Sequence, residues 1–213
     1  RLAGSSSPRK TQRVLIFGGA GIAAFLIGSL IAITMMGSSP SNGSLRSGPI
    51  GADPVITADG INSVRVGMTL EAASRAAGWP LKSGYYSPSG DAGQGCGTAS
   101  LDGGPQSVNF MIAYDKIKSV SVYKGSGDIA ATAHSQEGIR LGDPMSKVRE
   151  KYAGKYVERP DEYVRETPKL EVTTNEASTA TGNVLLFGGD KQGRVVSISG
   201  GQKTWVELAE GCL

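Results

Sequence analysis

Two stretches of this chain repeat one another at a fixed distance. Arg65-Val66-Gly67 and Arg140-Leu141-Gly142 lie 75 residues apart, and the same spacing separates Asp115-Lys116 from Asp190-Lys191, Thr98 from Thr173, Val120 from Val195 and Gly125 from Gly200. One spacing kept across such different motifs predicts a duplicated unit, which restricts the fold to two copies of one small arrangement. Each unit opens on a helix signal. In the first, Thr69 caps a helix whose Leu70, Ala73 and Ala77 follow helical spacing, and Gly78 stops it. In the second, Asp143 is the expected cap and Pro144 the first helical residue, with Met145, Val148 and Tyr152 on one face and Gly154 at the end.

Alternating apolar residues follow each helix signal. Residues 107–112 and 117–122 read as strands joined at the Asp115-Lys116 corner, and residues 184–187 and 194–198 as their counterparts joined through residues 188–193. Further strands are expected at 98–101, 169–174 and 204–208. The predicted fold class is α+β, with two tandem repeats, residues 56–130 and 131–213, each a short helical segment packed on a small antiparallel sheet. Gly67 and Gly142 fall in equivalent turns, where a side chain would collide with the helix start or force an unfavourable backbone conformation.

Upstream of the repeats, residues 14–36 are 23 residues without a charge, preceded by a basic tail, residues 1–13, that holds Arg9, Lys10 and Arg13. A helix of that length measures about 35 Å, enough for a hydrocarbon core of about 30 Å. The expectation is an uncleaved transmembrane signal anchor in a bacterial cytoplasmic membrane, single-pass, with the basic tail in the cytoplasm and the carboxy-terminal part outside. The lipid bilayer is then a partner. Ala20, Ala24, Gly28 and Ala32 form a stripe of small residues on which such a helix could pack, giving a route to a homo-oligomer. Gly19 and Gly21 imitate a dinucleotide fingerprint, but no polar-faced helix and no acidic residue follow at the required distance. Residues 37–55, rich in Gly, Ser, Pro and Asn, read as a flexible linker.

Charge narrows the partners. The chain has 22 basic and 19 acidic residues, but five of the basic ones precede residue 50, so 17 face 19 in the remainder. That part has no electrostatic case for nucleic acid.

The segments Arg65-Val66-Gly67-Met68-Thr69-Leu70 and Arg140-Leu141-Gly142-Asp143-Pro144-Met145 resemble the helix-opening motif of outer-membrane assembly lipoproteins of the SmpA/OmlA (BamE) type. The doubled arrangement resembles the beta-lactamase inhibitory protein fold, and residues 60–213 are similar to bacterial envelope proteins without an assigned function. The resemblance implies an architecture. It carries no binding residue over, because no lipidation cysteine follows the apolar segment and no inhibitor loop is matched residue by residue.

The two cysteines, Cys96 and Cys212, are each flanked by glycine and, by the topology argument, lie in an oxidising compartment, where a disulfide between them is expected. No catalytic motif, metal-ligand spacing or cofactor fingerprint emerges. Residues 121–124 satisfy S-x-x-K but end a strand, and His134, the single histidine, reads as part of an exposed connection between the repeats. The expected function is a non-catalytic, membrane-anchored protein-interaction module of the cell envelope that binds an unidentified envelope protein. Trp79, Tyr85, Tyr86 and Trp205 are the candidate contacts. The alternative is an extracytoplasmic enzyme or a thiol-redox protein.

Overall fold

The fold is taken from a computed structural model that describes residues 48–87, 95–125, 132–173 and 182–208, without the side chains of residues 85–87. In chain order the elements are β1 (Val55–Thr57), β2 (Gly60–Ile61), β3 (Val64–Arg65), α1 (Leu70–Ala77), β4 (Leu81–Ser87), β5 (Cys96–Leu101), β6 (Val108–Ala113), β7 (Lys116–Tyr123) and β8 (His134–Ser135). They continue with α2 (Met145–Lys151), β9 (Tyr156–Pro160), β10 (Pro168–Val172), β11 (Asn183–Gly189), β12 (Val195–Gln202) and the one-turn helix α3 (Lys203–Val206).

The main departure from expectation is the sheet. Instead of two small sheets, one eight-stranded antiparallel sheet runs β4-β5-β6-β7-β12-β11-β10-β9, accompanied by a four-stranded sheet β3-β2-β1-β8. The protein is thus mostly β rather than a helix-on-small-sheet α+β fold. The order places two blocks of four strands head to head, their last strands β7 and β12 paired in the middle. Joining them removes two of the four sheet edges that separate sheets would leave with unpaired N–H and C=O groups.

Equivalent backbone bonds mark the two blocks. Gly67 N–H donates to Ile117 O at 2.8 Å and Gly142 N–H to Val195 O at 2.7 Å, while Ile117 N–H donates to Met68 O and Val195 N–H to Asp143 O, both at 2.8 Å. Gly67 and Gly142 share φ +88°, and nothing lies within 4 Å of a Cβ built on either, so conformation rather than collision asks for glycine there. The spacing of 75 therefore holds through the helix starts. At Ile117 and Val195 it has become 78, and β11 already follows β6 by 77, Phe110 standing opposite Val120 as Phe187 stands opposite Ile198, so the spacing changes mainly in the connections before these strands and by one residue more in the second hairpin turn. Val120 and Val195, or Gly125 and Gly200, are consequently not counterparts.

One face of the long sheet, with Phe110, Val120, Val122, Leu170, Leu185, Phe187 and Ile198, is buried under α1, α2 and the small sheet. Ala73 and Ala77 of α1 and Met145 and Val148 of α2 are inside, and the Tyr152 ring meets Phe187 at 5.6 Å. The small sheet can cross β12 closely because Gly200 has no side chain: a Cβ there would overlap the Thr57 carbonyl. Ile50, within the expected linker, is 2% exposed and its N–H donates to Ala77 O at 2.9 Å, so the core begins before β1.

The two helix starts differ in how they are capped. Thr69 caps α1 through a bond from Ala72 N–H, and Gly78 ends it at φ +72°. In α2 the N-cap is Pro144 rather than Asp143, whose Oδ2 instead accepts from Arg140 N–H and Lys147 Nζ, both at 2.8 Å. Burial pushes the Asp143 carboxyl up, but the bonds from Lys147 and Arg140 outweigh it and hold it below its ordinary value. Residues 204–208, expected as a strand, begin inside α3: Lys203 N–H donates to Gly182 O and Lys203 Nζ pairs with Glu207 four residues on.

The membrane expectation is corrected. Among the described residues no helix is long and apolar enough to cross a membrane, α1 with eight residues being the longest, and the single-pass placement is withdrawn. Residues 14–36, with Ala20, Ala24, Gly28 and Ala32, lie outside the described residues. The disulfide is likewise not carried forward. Cys212 lies outside the described residues, so no two described cysteines stand at bonding distance, although Cys96 is 1% exposed and is not a free thiol.

Candidate interaction surface

Strand alternation assigns the second face of the long sheet to different residue types. Opposite Phe110, Val120 and Val122, the strands present Thr98 and Ser100 from β5, Asn109 and Met111 from β6, Ser119, Ser121 and Tyr123 from β7, and Ser197 and Ser199 from β12. This face is hydroxyl-rich near its middle. Tyr123 is 49% exposed, and Asn109 and Ser100 are exposed beside it. A pocket of about 130 Å³ opens here, walled by Met111, Trp205, Val206 and Leu208 and edged by the polar groups of Thr98, Asn109, Ser121 and Tyr123.

Helix α3 forms the apolar wall, and two charge contacts pin its segment to the sheet. Lys203 Nζ binds Glu171 of β10 and Glu207, and Glu207 in turn lies 2.7 Å from Arg159 of β9. For Glu207, burial raises the carboxyl, and hydrogen bonding to Lys203 and Glu171 with the nearby positive charges brings it below its ordinary value. Lys203 moves the other way: burial opposes its charge, and the bonds to Glu171 and Glu207 raise it overall. Lys118 Nζ sits 5.5 Å from the Tyr114 ring centroid and 5.8 Å from that of Trp205, a cation between two aromatic rings.

The four aromatic candidates separate. Trp205 is 9% exposed, packed with Cys96, Ala113, Met111 and Leu208, so it contributes a wall rather than a projecting anchor. Trp79 is 37% exposed at the end of α1, its Nε1 donating to Ile50 O at 3.2 Å and its ring against Gly104. The side chains of Tyr85 and Tyr86 lie outside the described residues. Trp79 and Trp205 are not part of one patch: one closes α1, the other α3. Tyr123 and Asn109 were not singled out in the sequence, although the alternation of Ser119, Ser121 and Tyr123 against Val120 and Val122 carries the signal.

His134 is not the exposed linker residue expected. Its side chain is 14% exposed in β8, with Nδ1 3.2 Å from Asp53 Oδ1. Arg140 also reaches Asp53, His134 N–H donates to Pro54 O at 3.0 Å, and Thr132 Oγ1 donates to Ala52 O, so this group staples residues 52–54 to residues 132–140. The second contact of the His134 Nδ1 is the Thr132 carbonyl rather than a nucleophile. Buried beside the same junction, Tyr152 donates toward Ser135 Oγ at 3.2 Å, and burial pushes its hydroxyl up to about 12. Among the described residues no three His, Cys, Asp or Glu side chains converge as metal ligands would.

No family model matches the chain, and neither a curated protein nor a solved structure matches it.

Proposed function

We propose that the chain is a non-catalytic protein-binding module whose contact surface is the sheet face opposite α1 and α2, centred on Tyr123 and Asn109. The observation that carries this reading is the exposed Tyr123 and Asn109 around a pocket with an apolar wall and a rim of neutral hydrogen-bonding side chains. An aromatic anchor beside adaptable polar groups is the composition of protein contact surfaces. The sheet beneath gives those side chains a rigid, extended platform, and the ion pairs of α3 hold the wall in place.

The test uses the full chain with a photocrosslinking residue at position 123 or 109, and at Glu71 on the outer side of α1 as control, irradiated in the cells of origin. Positions 123 and 109 should give the same discrete protein adduct and position 71 none. No adduct from either face position, or an identical pattern from the control, defeats the reading.

A further inference from the structure

A second surface lies at one end of the long sheet. Among the described residues β9 has a single neighbour, β10, and the pattern of its bonds is set at both ends: Thr173 N–H donates to Lys155 O at 3.1 Å and Asp161 N–H to Thr167 O at 2.8 Å. Antiparallel bonding alternates, so Val157 and Arg159 also turn their backbone groups toward β10 while Tyr156 and Glu158 turn theirs outward. Pro160, next in the outward set, has no N–H. The free edge therefore offers two donors, at Tyr156 and Glu158, and ends there.

Around this edge the side chains form a groove of about 460 Å³ lined by Arg149, Glu158, Arg159, Arg165 and Glu166 among others. Its charges are unequally matched. Arg149 is held twice by Glu158, at 2.9 and 2.6 Å; Arg159 lies 2.7 Å from Glu207; Glu166 is taken by Lys191 at 2.7 Å. Arg165 is exposed and has no ion-pair partner among the described residues. Both carboxylates lining the groove are already neutralised, so the unmatched charge is positive.

The adjoining loop is built to hold its shape. Asp161 Oδ1 accepts from Tyr163 N–H and Val164 N–H, both at 2.9 Å, its other oxygen lies 3.0 Å from Lys169 Nζ, and Thr167 N–H and Oγ1 both donate to Val164 O at 2.8 Å. This loop presents Tyr163 at 62% and Val164 at 38% exposure, and within β9 Val157 is 65% exposed. Proteins usually guard an edge strand with charge at its exposed positions. β9 does carry Glu158, Arg159 and Pro160, but Arg149 and Glu207 already pair with the two charges, and its exposed Val157 is an apolar, β-branched residue that suits strand addition.

We propose that the β9 edge binds an extended, acidic segment of a partner protein as an added strand, with main-chain bonds at Tyr156 and Glu158 and Arg165 receiving a carboxylate. This deepens the protein-binding reading but uses a different surface from Tyr123, so each fails separately. A second copy of the chain fits the edge less well, because it brings the same arginines to meet these.

The experiment titrates the isotope-labelled full chain with a synthetic peptide of alternating Thr and Glu, about ten residues long, and with its Thr-Gln counterpart. The Glu peptide should shift the amides of Tyr156 and Glu158 and slow their exchange, bind at least about tenfold more tightly than the Gln peptide, and weaken as salt rises. Arg165→Glu, a change at an exposed site, should lower affinity about tenfold while leaving the rest of the spectrum in place. Equal binding of both peptides, no response at Tyr156 and Glu158, unchanged affinity of Arg165→Glu, or concentration-dependent self-pairing of β9 instead would overturn the proposal. Crosslinking from position 123 is unaffected by any of these outcomes.

Discussion

Ser121 donates through its hydroxyl to the hydroxyl of Ser199 at 2.8 Å, and the two residues are each other's counterpart in the two blocks of the sheet. Ile117 corresponds to Val195, 78 positions on, and Ser121 and Ser199 are separated by the same 78. In an antiparallel pair of equivalent strands only residues on the local two-fold axis stand opposite their own counterparts, and Ser121 pairs with Ser199 in the β7–β12 register. A local two-fold thus passes through this contact, in the manner of an isologous interface made within one chain.

Removing either hydroxyl should cost about 1 kcal/mol of unfolding free energy, the net worth of a neutral hydrogen bond. Because both partners act in one bond, Ser121→Ala combined with Ser199→Ala should cost no more than one of them alone. Urea denaturation of the two single variants and the double variant checks this. Fully additive losses would mean that the pair does not act as a unit.

The glycines at special positions should fail for different reasons. Gly67→Ala and Gly142→Ala place a side chain in open space at φ +88°, so each should lose about 1–2 kcal/mol from backbone conformation. Gly200→Ala drives a methyl group into the Thr57 carbonyl, forcing β1 off the sheet, and should lose at least about 3 kcal/mol. Midpoints measured side by side decide it. A milder effect at Gly200 than at the two turns would contradict the close crossing of β1 over β12.

Both residues of the β6–β7 turn have positive φ without being glycine, Tyr114 at +54° and Asp115 at +56°. Two-residue hairpins of this kind favour glycine at the second position. Asp115→Gly should stabilise the fold by about 1 kcal/mol, relieving the left-handed conformation at that residue, and should raise the urea midpoint without altering the denaturant slope. A lowered midpoint would point to a role for the Asp115 side chain that its geometry does not reveal.

Acid should weaken the end of the sheet where β9 lies. Hydrogen bonds from Arg149 hold Glu158 below its ordinary value; at Asp161 burial pushes upward, but the N–H groups of Val164 and Tyr163 with Lys169 bring it below as well. A carboxyl depressed in the folded state contributes stability that is present above its unfolded value, about 4, and is lost as pH falls through the folded one. The melting temperature should be flat near neutrality and drop as the solution is acidified below about pH 4. Asp161→Asn and Glu158→Gln should each make that drop shallower. An unchanged acid limb in both variants would remove these carboxyls as its cause.

What the sequence determined by itself was local. Thr69 and Gly78 delimit α1 because a hydroxyl cap and a left-handed glycine act within one turn of chain, and strands β6, β7, β11 and β12 are legible because alternation needs no partner to be seen. The repeat was visible too, but only as far as its spacing held, since connections of different length bring β6 and β11 to 77 apart and β7 and β12 to 78, and made Val120 and Val195 look equivalent. Tertiary structure alone decided that the two blocks share one sheet, because the pairing of β7 with β12 depends on backbone groups that every residue carries. It also decided which aromatics are exposed: Trp205 and Tyr123 have similar apolar character, and only the packing of α3 on the sheet buries one and leaves the other at the surface.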